Sequence, residues 1–481
     1  MWLCDHQCNM ELSARFGTYY ARLPLKEAAV IYCGNALTMD WQLVTVSHQL
    51  DYVFGNPPFL GYSNQNKAQK EDILSVYVDK EGKSFKTAGK IDYVASWYYK
   101  AAELIQNTSM KVAFVSTNSI TQGEQVTSVW KPLFEMFDIT INFVYRTFIW
   151  TSQARGRAAV HCVIVGFSHK LIDCKKRIFD GDLEIEAQEI NPYLIDAPVT
   201  FIENRKIPLC DVPFMVTGNR PADGGHLIIE DKDLEDFIKA DPLSKKYIRR
   251  FMGATEYINN KKRWCLWLVG VQPSELKKMP EVMKRITLCK KDRENAPDEG
   301  RRKLAMAPAL FRETLNPDSF IIVPSTSSEN RAYIPIGFLS SDVISSNANL
   351  IIPNATIYHF GILTSSVHMA WIKVVCGRLK SDFRYSKDIV YNNFPWPNPT
   401  DKHKDSIETA AQKVLDTRAM FPDESLATLY DPALMPPELA KAHKKLDDCV
   451  KKAYGGKGFA NEADRVADLM ERYRELIGDK K

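Results

Sequence analysis

Short apolar runs alternate with helical patterns over the first third of the chain, and this alternation limits the fold more than any other feature. The runs lie at residues 29–33, 52–54, 112–116, 141–145 and 160–167. Between the second and third runs, apolar residues recur at helical spacing from Val94 to Ile105. Strands that alternate with helices are typical of βαβ units, and continuous apolar runs are typical of strands covered on both faces. The sequence therefore predicts an α/β fold with a parallel sheet.

Composition divides the 481 residues into three predicted domains. Residues 1–169 carry the α/β pattern, and residues 170–400 combine short strands with many prolines and glycines, which favours an α+β domain. Residues 401–481 are rich in Ala, Lys, Glu and Leu, and their helical pattern restarts after Pro437 and again at Asn461, a suitable N-cap. We expect this last part to form a small helical domain.

Cysteine usage and hydropathy indicate a chain of the reducing cytoplasm. The ten cysteines include no CxxC pair, and Cys4, His6 and Cys8 lack a second pair that would complete a zinc site. No apolar run reaches the roughly 18 residues that span a membrane. We therefore expect no bound metal, no membrane partner and a cytoplasmic location.

The tetrapeptide Asn56-Pro57-Pro58-Phe59 follows a short apolar run directly. In open α/β sheets, ligands bind where strands end. The prolines restrict the backbone, so the carbonyl groups of Asn56 and Pro57 can accept both hydrogens of an exocyclic amine. Phe59 offers a flat face for a flipped base. A plain strand-terminating turn explains the tetrapeptide equally well when it is taken alone.

The wider sequence resembles the amino-methylating, S-adenosylmethionine-dependent DNA methyltransferases, and in particular the MmeI-like type IIL restriction-modification enzymes. The motifs that carry the resemblance are spread over nearly the whole chain: residues 5–7, 34–37, 40–41, 56–59, 92–94, 116–118, 122–124 and 377–382. It implies a Rossmann-like methyltransferase core, a target recognition domain and transfer of a methyl group from S-adenosylmethionine to adenine in duplex DNA. Asn56, Pro57, Pro58 and Phe59 would then be the catalytic motif. Methylation of a cytosine amine stays open, whereas ring methylation needs a Pro-Cys nucleophile that the sequence lacks.

The resemblance also implies a cofactor contact and a second stacking residue. Asn35, Ala36 and Leu37 match the loop that contacts the adenine of S-adenosylmethionine, although a polar turn is as good an explanation from the residues alone. Trp150 is our choice for the aromatic residue that faces the flipped base together with Phe59. Phe148 is the alternate, and a packing role competes for both aromatic residues.

The Gly-rich turn and the ribose-binding acid of the cofactor fold are not found before Gly34. We therefore expect the first strands of the core to be missing, with a preceding segment or a separate subunit carrying the cofactor motif. A truncated, non-catalytic DNA-binding remnant or specificity subunit is the alternative hypothesis.

Positive charge is concentrated in the predicted recognition domain. Residues 241–303 contain 17 Lys and Arg against 8 Asp and Glu. The first cluster includes Lys245, Lys246, Arg249 and Arg250, which we predict to contact DNA phosphates, with a solvated helix face as the alternative. The second cluster surrounds residues 295–297, and we interpret it as a mobile basic loop.

Two asparagines are candidates for reading bases. Asn347 and Asn349 lie between apolar pieces, and on one strand they would share a face. An asparagine side chain can pair with adenine through two hydrogen bonds in the major groove. A turn that contains both residues is nearly as consistent with the sequence.

Overall fold

The computed structural model describes residues 2–17, 31–44, 50–150, 160–455, 459 and 461–478. They form two compact units, Met1–Leu50 and Asp51–Lys481. The first unit contains helices α1 (Trp2–Phe16) and α2 (Trp41–Val44). The strand predicted at 29–33 is wrong for residues 31–33, because Ile31 and Tyr32 are 85% and 54% exposed and pair with no strand. Residues 29 and 30 lie outside the described residues.

The second unit opens with a six-stranded sheet in the order β1-β2-β4-β3-β5-β6. Its strands are β1 (Tyr52–Gly55), β2 (Lys111–Thr117), β3 (Ile139–Trp150), β4 (Val160–His169), β5 (Lys176–Asp180) and β6 (Leu183–Ala187). The four strands predicted at 52–54, 112–116, 141–145 and 160–167 all lie within β1 to β4. Both faces of β4 are largely buried, because it runs through the middle of the sheet.

This sheet is mixed, so the prediction of a parallel sheet is only partly right. β1 pairs with β2, and β3 with β5, in parallel, whereas β4 is antiparallel to both β2 and β3. The reason is the connection between β3 and β4, which spans only residues 151–159. A parallel pair needs a crossover of about a dozen residues or more, so this short link imposes an antiparallel pair.

Helices α3 (Lys67–Val76), α4 (Ala95–Leu104) and α5 (Gly123–Phe137) accompany the sheet. α4 occupies the helix predicted between Val94 and Ile105, and it is buried on nearly all sides. Its Tyr98 packs edge-on against Phe114 of β2 at 5.3 Å between ring centroids, and its hydroxyl donates to the Phe114 carbonyl at 3.1 Å. Aromatic packing thus fixes α4 against the sheet.

The middle of the chain contains three further sheets of short strands, ordered β14-β9-β10-β8, β13-β11-β15-β7 and β12-β17-β16. The strands are β7 (Val216–Thr217), β8 (Ile228–Glu230), β9 (Ile248–Met252), β10 (Arg263–Leu266), β11 (Ser319–Pro324), β12 (Thr326–Ser327), β13 (Gly337–Ser340), β14 (Val343–Ser345), β15 (Asn349–Pro353), β16 (Gly377–Leu379) and β17 (Asp382–Arg384). The helices are α6 (Leu234–Ala240), α7 (Ala254–Ile258), α8 (Pro273–Leu276), α9 (Pro280–Glu294), α10 (Glu299–Lys303), α11 (Ile357–Leu363) and α12 (Ser366–Val375). This part has the α+β character that the sequence predicts.

The end of the chain is helical, as predicted. It contains α13 (Asp401–Ala419), α14 (Leu426–Leu429), α15 (Pro437–Ala453) and α16 (Glu462–Leu476). α15 begins with Pro437, and the Asn461 side chain caps α16 by accepting from the Asp464 N–H at 2.9 Å. α13 and α15 pack on each other, whereas α16 packs on α12, where Tyr473 lies 6.0 Å from Trp371 between ring centroids. The helical layer therefore includes helices from the middle of the chain.

Candidate active site and DNA-binding surface

The Asn56–Phe59 motif begins where β1 ends, at the carboxyl edge of the six-stranded sheet. Asn56 and Pro58 are exposed, Pro57 is buried and Phe59 is half-buried. The strand register pairs Gly55 with Phe114 of β2, so the motif leaves the sheet beside the middle of its neighbouring strand. The buried proline anchors a turn from which the Asn56 side chain meets solvent.

A buried carboxylate braces the loop that follows this motif. Asp92, which is 5% exposed, accepts from the Tyr62 N–H at 3.0 Å and also from the Ser119 hydroxyl in the turn after β2. The next residue, Tyr93, donates its N–H to the Leu60 carbonyl at 2.9 Å. Two loops of the carboxyl edge are therefore joined through one side chain. The sequence contained this residue in a motif of the resemblance, but its spacing gave no signal for the bracing role.

The ends of β1, β2 and β3 lie at the same edge, because β3 runs parallel to β2 although β4 separates them. Asn118, directly after β2, has its Nδ2 3.5 Å from the Thr147 hydroxyl of β3. Phe148 and Trp150 follow on one face of β3, with 6.2 Å between their ring centroids. Trp150 is 42% exposed and Phe148 is half-buried. Aromatic surface is thus available at the edge where the Asn56 motif lies.

A thiol at this edge is protected from acting as a nucleophile. Cys162 of β4 pairs in register with Thr117 on one side and with Phe148 on the other, and it is fully buried. Burial raises the pKa of the Cys162 thiol to about 11. At neutral pH the thiol keeps its proton, so it cannot attack a base as a thiolate.

The predicted cofactor loop forms a compact turn in the first unit. The Asn35 Oδ1 accepts from the Leu37 N–H at 3.0 Å, and the Trp41 indole donates to the Ala36 carbonyl at 2.8 Å. Asn35 is exposed, Ala36 is half-buried and Leu37 is buried with 3% exposure. An amide side chain at the surface suits hydrogen bonding to an adenine edge, whereas Leu37 can contribute only packing or backbone.

The first basic cluster is divided between two faces of a strand. Arg249 and Arg250 are neighbours on β9, so their side chains point to opposite faces. Lys245 is exposed, but Lys246 forms an ion pair with Glu275, which raises the pKa of Lys246. The cluster is therefore not one continuous phosphate-binding row.

The second basic cluster is not a mobile loop, and this prediction is wrong. Its residues lie on α9, on α10 and in the turn between them. Arg293 is 1% exposed and donates five hydrogen bonds, at 2.7–3.0 Å, to backbone carbonyls. The acceptors belong to Pro221, Ala222, Leu304, Ala307 and Leu310. A guanidinium with its donors satisfied in this way holds chain segments together and cannot reach a phosphate.

The two candidate base readers do not share a strand, so the arrangement in which both lie on one face of a strand is not formed. β14 ends at Ser345 and β15 begins at Asn349, which places Asn347 in the turn between strands of different sheets. Asn349 is 0% exposed and its Nδ2 donates to the Met252 carbonyl at 2.7 Å. The side chain of Asn349 is thus used inside the fold, whereas Asn347 is half-buried. The chain turns at Asn347, so the alternation of side chains that a continuous strand would give is not present here.

No helix among the described residues is long and apolar enough to cross a membrane.

Comparison with known proteins gives the family. Three models of one family match consecutive parts of the chain: the MmeI DNA-methyltransferase domain at residues 1–180, the MmeI target recognition domain at 196–398 and the MmeI C-terminal domain at 399–479. The chain belongs to the MmeI family. The resemblance inferred from the motifs is confirmed, as is the fold class of an α/β methyltransferase core followed by a recognition domain and a C-terminal domain. The boundaries at 169/170 and 400/401 stay predictions.

Two relatives of this MmeI-family chain extend beyond it. DNA methyltransferase A of Bacillus subtilis (strain 168) is 41% identical over 480 residues, which are 99% of this chain and 54% of the relative. The solved structure of the type IIL restriction-modification enzyme MmeI in complex with DNA is 46% identical, with a TM-score of 0.88, and the match covers 99% of this chain and 64% of that one. The chain thus spans between half and two thirds of the length of these relatives.

Proposed function

We propose that this chain takes part in methylating the exocyclic amine of adenine in duplex DNA, as part of a restriction-modification system. The observation that carries the proposal is the Asn56–Phe59 motif at the carboxyl end of β1, in a chain of the MmeI family. The aromatic pair Phe148 and Trp150 at the end of β3 supports it, because a flipped base needs flat surfaces on which to stack.

In this mechanism the motif orients the amine. The Asn56 side-chain carbonyl and the Pro57 backbone carbonyl accept its two hydrogens, which turns the nitrogen lone pair out of the plane of the base. S-adenosylmethionine supplies the methyl group as an electrophile when it is bound. The amine nitrogen, held by the carbonyl groups of Asn56 and Pro57, would accept that methyl group and would lose a proton to solvent. Phe59 and Trp150 hold the base between them.

The cofactor contacts that this chain offers are Asn35, Ala36 and Leu37. Asn35 would bind the adenine edge of the cofactor with its exposed amide, and the short turn would hold that amide in place through the hydrogen bond from the Leu37 N–H. Any further polar contacts to the methionine and ribose parts would come from a preceding segment or a separate subunit.

The proposed DNA contacts rest on three members of the first basic cluster and on the half-buried turn residue. Lys245, Arg249 and Arg250 are the candidates for phosphate contacts. Lys246 could contact a phosphate only by giving up its ion pair with Glu275. Asn347 remains a candidate for a base contact. Asn349 would need to leave its buried position and give up its bond to Met252 before it could read a base.

The test is methyl incorporation from radiolabelled S-adenosylmethionine into duplex DNA, with Asn56→Ala compared against Asn64→Ala. Asn64 is an exposed asparagine in the following loop and serves as the matched control. Loss of one preorganised polar contact should reduce the rate about 100- to 1000-fold, while affinity for DNA stays unchanged. Normal methylation by Asn56→Ala would contradict the mechanism. Binding of DNA without any methyl transfer by the unaltered chain, when the segment or subunit with the cofactor motif is also supplied, would favour the non-catalytic alternative.

A further inference from the structure

A small hairpin connects the recognition region to the methyltransferase sheet. β16 and β17 pair antiparallel, with Leu379 opposite Asp382, and β17 pairs in turn with β12. The turn at its tip contains Lys380, whose φ of 59° is left-handed. These residues belong to a sequence motif for which the methyl-transfer chemistry gives no role.

The hairpin is rigid. The Arg378 guanidinium lies 3.9 Å from the centroid of the Phe383 ring, across the two strands. The same guanidinium donates to the Ser381 carbonyl at 2.9 Å, which ties the side chain of one strand to the turn. Phe383 is 1% exposed and anchors the second strand in the core. These contacts hold the two strands and the turn of the hairpin together.

The base of the hairpin is fixed to the carboxyl edge of the six-stranded sheet. Gly123, at the start of α5, packs backbone to backbone on Gly377, and a Cβ on Gly123 would lie 3.0 Å from the Gly377 Cα. Arg378 also lines a cleft of about 470 Å³ together with Thr121 after β2 and Thr147 of β3. The hairpin therefore packs beside the edge of the sheet at which the Asn56 motif and the Phe148–Trp150 pair lie.

The tip presents an apolar side chain near two cations. Leu379 is 52% exposed at the end of β16, whose other two residues are half-buried. Lys380 follows it and is exposed, and Arg384, also exposed, lies on β17 opposite Gly377, whereas the residue directly opposite Leu379 is the half-buried Asp382. A leucine on a rigid support, next to positive charge, has the form of the apolar wedges that proteins insert between base steps of DNA.

We propose that Leu379 enters the base stack and fills the space that the flipped base leaves. The inference rests on the proposed function, since only an enzyme that flips a base opens such a gap. Flipping costs unstacking and unpairing, and an apolar side chain in the vacated space restores part of the lost stacking. Lys380 and Arg384 would hold the phosphates on either side of the gap.

The test measures binding of the full chain to two duplexes of about 30 base pairs and mixed sequence, one fully paired and one with a single abasic site. The abasic duplex has its gap already open, so the unaltered chain should bind it about tenfold more tightly than the paired duplex. Leu379→Ala should bring this ratio close to one. Leu379→Phe should retain the preference.

Leu183→Ala is the matched control, because Leu183 is a 59% exposed leucine at the tip of the β5–β6 hairpin. This variant should keep the full ratio. A ratio unchanged by Leu379→Ala, or no preference in the unaltered chain, would overturn the inference alone. Failure of the unaltered chain to bind either duplex would overturn the proposed function and the inference together.

Discussion

At the residue scale, Asp92 shows how one side chain holds the loop that follows the proposed catalytic motif. Its two carboxylate oxygens serve different loops, one through the Tyr62 N–H and the other through the Ser119 hydroxyl. Hydrogen bonds to a charged group contribute about 1.5–3 kcal/mol each, which is more than a neutral pair provides. The position of the loop after Phe59 therefore depends on this carboxylate.

We predict that Asp92→Asn lowers the free energy of unfolding by about 1–3 kcal/mol, because an amide NH₂ then faces one of the two donors. Methyl transfer should fall further than stability explains, since the loop after the motif loses its brace. Thermal unfolding and methyl incorporation measure the two effects. Asp196→Asn is the control, because Asp196 also accepts two hydrogen bonds, in its case both from backbone N–H groups, but lies exposed in another loop. Equal methylation by both variants would contradict the positioning role.

Arg249 and Arg250 should respond differently to substitution. Binding of DNA weakens with salt by a slope of about −0.9 per neutralised phosphate. Since the two side chains lie on opposite faces of β9, we predict that only one of the single alanine variants reduces this slope, by about one unit. Titration of duplex binding over a range of salt concentrations measures the slope. An equal reduction in both variants would show that both side chains reach the DNA.

At the scale of elements, the close packing of α5 on β16 requires glycine. Gly123 has a φ of +55°, and a Cβ there would meet the Gly377 backbone at 3.0–3.2 Å. We predict that Gly123→Ala lowers the free energy of unfolding by about 1–3 kcal/mol from left-handed strain, with a further loss from the clash. Gly181→Ala is the control that carries the strain without the clash, because Gly181 has a φ of +60° with no atom within 4 Å of its Cβ position. Similar unfolding midpoints for the two variants would contradict a role for the contact.

The elements were predictable where the pattern was local. Val94 to Ile105 predicted α4, Asn461 predicted the start of α16, and each apolar run from residue 52 onward became a strand. The order and direction of the strands were harder to predict from the sequence, because strand pairing joins residues that are far apart in the chain. The 151–159 connection is short, and that length was the available signal that β3 and β4 are antiparallel.

The residues of the candidate site also divide into those that the sequence predicts and those whose roles depend on distant contacts. The Asn56–Phe59 motif was predicted from residue types at the end of a strand, whereas Phe148 and Trp150 were predicted from the family resemblance. Asp92 and Arg378 were not assigned roles, because their function depends on contacts to distant loops. Asn349 and Arg293 were misjudged for a related reason, since a polar side chain that satisfies buried backbone has the same sequence signature as one that contacts DNA.

At the scale of the whole molecule, two buried histidines make stability depend on pH. His368 is 1% exposed and its Nε2 lies 2.8 Å from the Tyr385 hydroxyl, and His443 is fully buried beside Tyr430. Burial lowers the pKa of each to about 3, from an ordinary value of 6.5. Between these values the unfolded chain binds protons that the folded chain does not. The stability that the neutral histidines allow is present above pH 6.5 and is lost as the pH falls toward 3.

We predict that the free energy of unfolding falls between pH 7 and pH 5, with a slope that approaches about 1.4 kcal/mol per pH unit for each histidine. His368→Gln should reduce that slope by the share of one histidine. Burial also raises the pKa of Asp447, and this shift favours the folded chain as the pH falls, opposite to the effect of the histidines. The contribution of Asp447 is the same in the unaltered chain and in His368→Gln, so it cancels when their slopes are compared. Denaturant unfolding at several pH values measures the slopes, and identical slopes would contradict the assignment.

The five carbonyl groups that accept hydrogen bonds from Arg293 affect how the surface of this part of the chain can change in evolution. The segments at residues 221–222 and 304–310 converge on one guanidinium, so their backbone paths are set from inside the fold and not by the side chains they display. Outward-facing residues on these segments can then change without altering the path of the chain. A lineage that exchanges its surface residues while it keeps this one arginine can change what this surface binds on a constant scaffold.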